Sequence, residues 1–159
     1  QTCALPISED KIRIFTETLK HDLLKKNPKI AILGINPHAG ENGLLGNEEL
    51  EVITPLMNKL NRKERILYGP FPSDSFFGLK MFKEFDGVIS WYHDQGLIGF
   101  KSFCFEKGVN FTGGLPIVRT SPDHGTGYNI AGKGIANEKS LLESIKLNLK
   151  IITNRNLIK

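Results

Sequence analysis

Lys29-Ile30-Ala31-Ile32-Leu33-Gly34-Ile35 runs straight into Asn36-Pro37-His38-Ala39-Gly40-Glu41, and this junction decides the fold. A short, almost unbroken apolar run reads as a strand buried on both faces, as in parallel sheets. The glycine-rich stretch to Asn47 reads as a loop. Glu48 to Leu60 reads as a helix with Leu50, Ile53, Leu56, Met57 and Leu60 turned inward. Pro55 inside that helix predicts a kink, because proline removes an N–H and crowds the preceding turn. In sheets built this way, ligand loops lie beyond the carboxyl ends of the strands.

The pattern continues outward. Upstream, Ser8-Glu9-Asp10-Lys11 predicts a capped helix start, followed by Ile12, Phe15, Leu19 and Leu23 at helical spacing. That helix is expected to stop before Asn27-Pro28, since the residue before a proline avoids the helical region. His21 lies off the stripe and reads as a surface residue. Downstream, Arg65 to Gly69 is a second strand, ended by Pro70 and Pro72. Asp74 is expected to cap a short helix carrying Met81 and Phe82, and Asp86 to Ser90 is a third strand. Val109 to Thr112 and Leu115 to Val118 read as further strands. Glu138 to about Thr153 reads as a helix with Leu141, Leu142, Ile145, Leu149 and Ile152 on one face. Strands alternating with helices give an α/β class, with a parallel or mixed sheet and flanking helices.

The 159 residues suit one domain with one real core. Apolar residues at 40% and charged residues at 24% exclude a disordered chain. No apolar run approaches the ~18 residues a membrane helix needs. Two cysteines do not make a disulfide scaffold. The net charge of +4 is spread among acids, with no basic block interleaved with aromatics, so neither nucleic acid nor membrane is an expected partner. Sixteen glycines exceed the usual ~7% and point to tight turns around a ligand. Residues 1–7, Gln-Thr-Cys-Ala-Leu-Pro-Ile, are the translation of a widely used sequencing-library adapter. They are expected to be foreign to the gene, which makes Cys3 an artefact and residues 8–159 the genuine chain, continued upstream in the natural protein.

Three stretches carry chemistry. His38 is held between Pro37 and Gly40, and His93 stands in Tyr92-His93-Asp94-Gln95-Gly96. Neutral imidazole is the commonest metal ligand, and a neighbouring carboxylate can orient it or move a proton. The two follow the first and third strands and are expected to face one crevice; each alone also reads as an ordinary surface histidine. Asp123-His124-Gly125-Thr126 leads into Asn129-Ile130-Ala131-Gly132-Lys133-Gly134-Ile135-Ala136-Asn137. Small residues there let a cofactor approach backbone N–H groups, although the run equally reads as a glycine-rich surface loop. Lys101, Asn110 and Arg119 lie in or beside apolar segments and suit capture of an anion, or a structural ion pair.

Jointly, Asn36 to Glu41, Gly69-Pro70-Phe71-Pro72-Ser73-Asp74, Tyr92 to Gly96, Gly108-Val109-Asn110-Phe111-Thr112, Leu115-Pro116-Ile117-Val118-Arg119-Thr120-Ser121 and Asp123 to Thr126 resemble the 4-hydroxythreonine-4-phosphate dehydrogenase family of vitamin B6 synthesis. The resemblance runs from about Ser8 to the end and matches roughly the latter half of the family's chain. It implies a fold like the isocitrate and isopropylmalate dehydrogenases, and a cytoplasmic homodimer with a divalent metal (zinc, magnesium or cobalt) at its interface. On that pattern His38 and His93 are metal ligands, and a third histidine belongs to a segment this chain lacks. Lys101, Asn110 and Arg119 bind a small phosphorylated substrate. His124, Gly125, Thr126 and Asn137 contact NAD or NADP, and Asp94 is a catalytic candidate beside a ligand. The implied reaction is oxidation and decarboxylation of 4-phosphooxy-L-threonine to 3-amino-2-oxopropyl phosphate. A sibling acting on phospho-threonate or phospho-erythronate, or a folded remnant without activity, are the alternatives.

Overall fold

The apolar run forms β1, Ile30–Leu33, and all four of its residues are buried. The structure, a computed structural model, describes the backbone of residues 4–158 and the side chains of residues 8–158. β1 is the middle of a three-stranded parallel sheet, flanked by β2, Leu67–Phe71, and β3, Gly87–Ile89. The expected α/β class, with a parallel sheet and flanking helices, is what forms.

One face of the sheet is covered by α1, Ala4–Glu17, and by α2, Thr54–Leu60. Ile12, Leu19, Ile30, Ile32, Ile53, Leu56, Met57 and Leu67 form that core, with Phe15 and Leu23 packed against it as their spacing predicts. The other face holds Ala31, Leu33 and Phe76, ringed by Phe71, Phe77 and Phe85. Phe76 belongs to α3, Ser73–Gly78; α4, His93–Cys104, follows β3.

Several boundaries differ from the expectations. α1 begins ahead of Ser8, so Ser8 lies inside the helix and does not cap it. The chain continues through a π-helical turn, Thr18–Asp22, and turns away at Leu24, whose φ is +54°, so the helical stretch does stop before Asn27, as expected. A second π-helical turn, Glu49–Ile53, precedes α2. It widens the helix just where Pro55 cannot donate to Glu51, and it rotates Leu50 outward, where it is half exposed. β2 runs on through Pro70 instead of ending there. It is an edge strand, and a register shift opposite β1 accommodates the missing N–H. Asp74 stands within the first turn of α3, where Pro72 is the cap position, and Met81–Glu84 is a separate 3-10 turn.

The second half forms an antiparallel hairpin, β4, Val109–Phe111, with β5, Thr120–Pro122, packed under α5, Lys139–Leu157. Leu115 to Val118 is the hairpin's connection, not a strand; Arg155 Nη1 donates to the carbonyls of Leu115 and Pro116 at 3.1 and 3.4 Å. α5 is inverted relative to its apolar stripe. Ser140, Ser144, Ile151 and Asn154 face inward, while Leu141, Leu142, Ile145, Leu149 and Ile152 are 44–61% exposed. Its inner face is held by polar bonds. Ser140 Oγ donates to Gly108 O at 2.6 Å, Asn148 Nδ2 donates to Thr120 Oγ1 at 3.2 Å, and Asn154 Nδ2 donates to Asp22 O at 2.7 Å. Leu149→Gln is therefore expected to change unfolding free energy by less than ~0.5 kcal/mol in urea titration, since no buried contact is lost.

Asp22 lies in this seam and is not the solvated helix-face acid its lysine-rich neighbourhood suggests. Its carboxylate, 5% exposed, accepts Arg155 Nε at 2.6 Å and Nη2 at 3.0 Å. His21 beside it is exposed as expected and faces Glu17.

Candidate functional site

The loops at the carboxyl ends of β1, β2 and β3 lie side by side because the strands are parallel neighbours. The loop after β1 holds His38 in an uncommon backbone. Residues 38–42 all have φ between +43° and +81°, and four of the five are not glycine. Left-handed residues ordinarily occur singly, so a run of them persists only where surrounding contacts dictate it.

The run is bounded by its own bonds, Ala39 N–H to Asn36 O at 3.1 Å and Leu45 N–H to Gly40 O at 3.1 Å, and Glu49 holds the segment that leads into it. Only 2% exposed, its Oε1 accepts the backbone N–H groups of Ile35 and Asn36, both at 2.7 Å. Its Oε2 accepts Asn36 Nδ2 at 2.9 Å. A Cβ added at Gly40 would lie 2.7 Å from Glu49 Oε2, so the turn closes tightly over the carboxylate. Burial pushes the Glu49 carboxyl up, but the N–H groups of Asn36, Glu49 and Ile35 and the Asn36 amide together hold it below its ordinary value. Sequence reasoning missed Glu49, because an acid in a first helical turn ordinarily faces solvent and favours the helix dipole. Only the mirrored possibility of a carboxylate reaching back to loop N–H groups could have found it.

The loop after β3 starts α4 at His93, with Tyr92 in the cap position. His93, Asp94 and Lys101 line one shallow hollow of about 460 Å³ along α4, and all of them reach solvent or its edge. Asp94 and Gln95 also line a groove against α3. Gln95 is the other residue that the sequence left without a role. Its Oε1 accepts Trp91 N–H at 2.8 Å, and its Nε2 donates to Gly34 O at 2.6 Å and Ser73 Oγ at 2.7 Å.

His38 and His93 are both exposed, on the turns beyond neighbouring strands. As imidazoles they suit zinc or cobalt in type. In number they fall short: among the described residues no three His, Cys, Asp or Glu side chains gather as a metal centre would require. The chain's own described residues therefore do not make up a metal site.

His124, Gly125, Thr126 and Asn137 do come together. With Gly127, Gly132, Gly134, Ala131 and Ala136 they line a hollow of about 740 Å³ between the end of α4 and the start of α5. Added Cβ atoms at Gly125, Gly132 or Gly134 would meet nothing within 4 Å, so the backbone is open to a ligand along this rim. His124 Nδ1 lies 3.0 Å from Gly125 O, and Asn137 Oδ1 accepts Lys139 N–H at 3.0 Å. Small residues around backbone amides let a ligand's polar edge come close to the main chain. Asn110 and Arg119 sit apart from this hollow, on the hairpin: Asn110 pairs with Ser121, and Arg119 Nη1 donates to Thr112 Oγ1 at 2.8 Å.

Comparison with known proteins adds independent findings. The family described as "Pyridoxal phosphate biosynthetic protein PdxA" matches residues 6–148. A 4-hydroxythreonine-4-phosphate dehydrogenase of Bacteroides thetaiotaomicron is 47% identical over 154 residues, which is 97% of this chain and 42% of that protein. One from Prosthecochloris aestuarii is 46% identical over 138 residues, 87% of this chain and 40% of its own. Among solved structures, the Klebsiella pneumoniae 4-hydroxythreonine-4-phosphate dehydrogenase superposes with a TM-score of 0.78 at 41% identity, covering 92% of this chain and 44% of that one. A terephthalate 1,2-cis-dihydrodioldehydrogenase from Burkholderia xenovorans shares the fold at 29% identity and a TM-score of 0.69, over 92% of this chain and 46% of that one. The chain thus spans less than half the length of the relatives it matches. A match this long, at identities this high and with the fold in agreement, means that the chain belongs to the PdxA family.

Proposed function

We propose that a protein carrying this chain oxidises and decarboxylates 4-phosphooxy-L-threonine to 3-amino-2-oxopropyl phosphate with NAD or NADP as the oxidant; its relatives are named as 4-hydroxythreonine-4-phosphate dehydrogenases. The observation that carries this reading is the hollow lined by His124, Gly125, Thr126 and Asn137. When bound, the nicotinamide supplies a hydride acceptor and a divalent cation supplies a Lewis acid. His124, Gly125, Thr126 and Asn137 hold the adenosine part of the dinucleotide. Lys101 and Arg119 bring fixed positive charge to the anionic substrate, and Asn110 orients it. Asp94 handles the proton released from the substrate hydroxyl. His38 and His93 contribute two imidazoles to the cation, with further ligands coming from beyond the described residues. Imidazole favours zinc or cobalt over magnesium there. Assembly as a homodimer around that cation, and a place in the cytoplasm, belong to the same reading.

The hollow gives a direct test. Calorimetry with NAD on the 159-residue chain should show binding, and Gly125→Leu should weaken it about tenfold or more. Gly125 has open space at its Cβ and no left-handed backbone, so a leucine enters the hollow without straining the fold. Unchanged affinity in that variant would remove the hollow from the cofactor site. Phosphothreonine and its sugar-acid analogues, compared as substrates of a longer protein carrying this chain, then decide between the leading reaction and its sibling.

A further inference from the structure

Most polar backbone atoms at the end of β1 are committed, and Gln95 takes Gly34 O. Leu33 O accepts the Trp91 indole Nε1–H at 2.6 Å, and Gly34 N–H donates to Phe71 O at 2.8 Å. Gly34 O accepts Gln95 Nε2, and the N–H groups of Ile35 and Asn36 go to Glu49. One amide therefore touches the exits of three strands: Gly34 after β1, Ser73 after β2 and Trp91 after β3. All three bonds are short, and Gln95 is half-buried at the junction. Asparagine is too short to span it, and glutamate keeps the acceptor for Trp91 N–H but has no donor for Gly34 O.

We infer that Gln95 is a positioning residue that fixes the spacing between the turn bearing His38 and the helix start bearing His93. The inference rests on the reading that these two histidines act on one ligand. It adds what holds them in register: the His38 turn hangs on residues 34–36, the His93 turn on residues 91–95, and the Gln95 amide joins the two at Gly34 O, beside the Trp91 indole on Leu33 O. A site whose ligands come from separate loops needs such a tie, because a loss of alignment near 1 Å is enough to disable it.

The test measures spacing and not activity. Spin labels are placed by His38→Cys and His93→Cys in the full chain, with Cys3→Ser and Cys104→Ser removing other thiols, and the label-to-label distance is read by pulsed electron resonance. With Gln95 present a single narrow distribution is expected. Gln95→Ala should broaden it about twofold or more. Gln95→Glu, which keeps the Trp91 bond and serves if the alanine variant does not fold, should broaden it less but measurably. Ile151→Ala, buried in the distant α5 seam, destabilises without touching the junction and should leave the distribution narrow. An unbroadened distribution in both Gln95 variants, or equal broadening in Ile151→Ala, overturns the inference. Cobalt titration of the unlabelled chain, followed through the histidine resonances, tests the ligand reading by itself; failure there leaves the distance result standing on its own.

Discussion

Replacing Glu49 by alanine is expected to cost ~3–5 kcal/mol of unfolding free energy and to lower the melting temperature by roughly 10 °C. The carboxylate is buried and takes two backbone N–H groups and one amide N–H, so its removal leaves donors of Ile35 and Asn36 without a partner inside the fold. Glu49→Gln should cost less, about 2 kcal/mol, because one oxygen remains while the new amide NH₂ confronts Asn36 Nδ2. The two variants also separate on pH. The folded carboxyl lies below its ordinary value of 4.5, the N–H groups outweighing burial. The stabilisation is therefore complete above the unfolded value and disappears as pH falls through the folded one. Urea midpoints measured between neutral pH and about pH 3 should decline more steeply for the parent than for Glu49→Gln. Parallel curves would show that the Glu49 charge is not what clamps the loop. Asp86, held low first by Lys25 and then by the Lys29 N–H, contributes to acid sensitivity in both proteins alike, so the difference reports the Glu49 charge together with its coupling to Glu48, which shares the Asn36 amide.

The second large effect belongs to the seam between the Thr18–Asp22 turn and α5. Asp22→Ala should cost ~3–4 kcal/mol, since it strands a guanidinium whose pKa is raised by its hydrogen bonds to that carboxylate. The pair is bidentate, and the same guanidinium anchors the hairpin connection through Leu115 O and Pro116 O. In a double-mutant cycle, Asp22→Ala with Arg155→Met should fall short of the summed single effects by about 2 kcal/mol. Strict additivity would mean that the bridge adds little beyond its separate contacts.

How legible this molecule is from its sequence varies with the kind of signal. The buried strand Ile30–Leu33 is plain because an apolar run has few other uses, and the inward positions Ile12 and Leu19 follow from period alone. Periodicity identifies a stripe but not what the stripe meets. In α5 the apolar side faces away from the hairpin, and serines and asparagines make the inner bonds, since a small hydroxyl close to a backbone carbonyl gives both close approach and a hydrogen bond. Pro70 misleads for a related reason: a proline excludes a central strand, yet β2 is at the edge. Within the candidate site, the histidines and the glycine-rich run announce themselves by residue type. Glu49 and Gln95 do not, because their importance comes from carbonyls and N–H groups on other segments that no residue letter records.

The outward-facing side of α5 has a practical corollary. A dye that brightens in oily surroundings should light up on the intact fold at room temperature, with Leu141, Ile145, Leu149 and Ile152 lying open. Such a glow is elsewhere a sign of a half-melted protein; here it would report nothing of the kind, and order in this chain is better judged from the near-ultraviolet signal of its lone indole, Trp91.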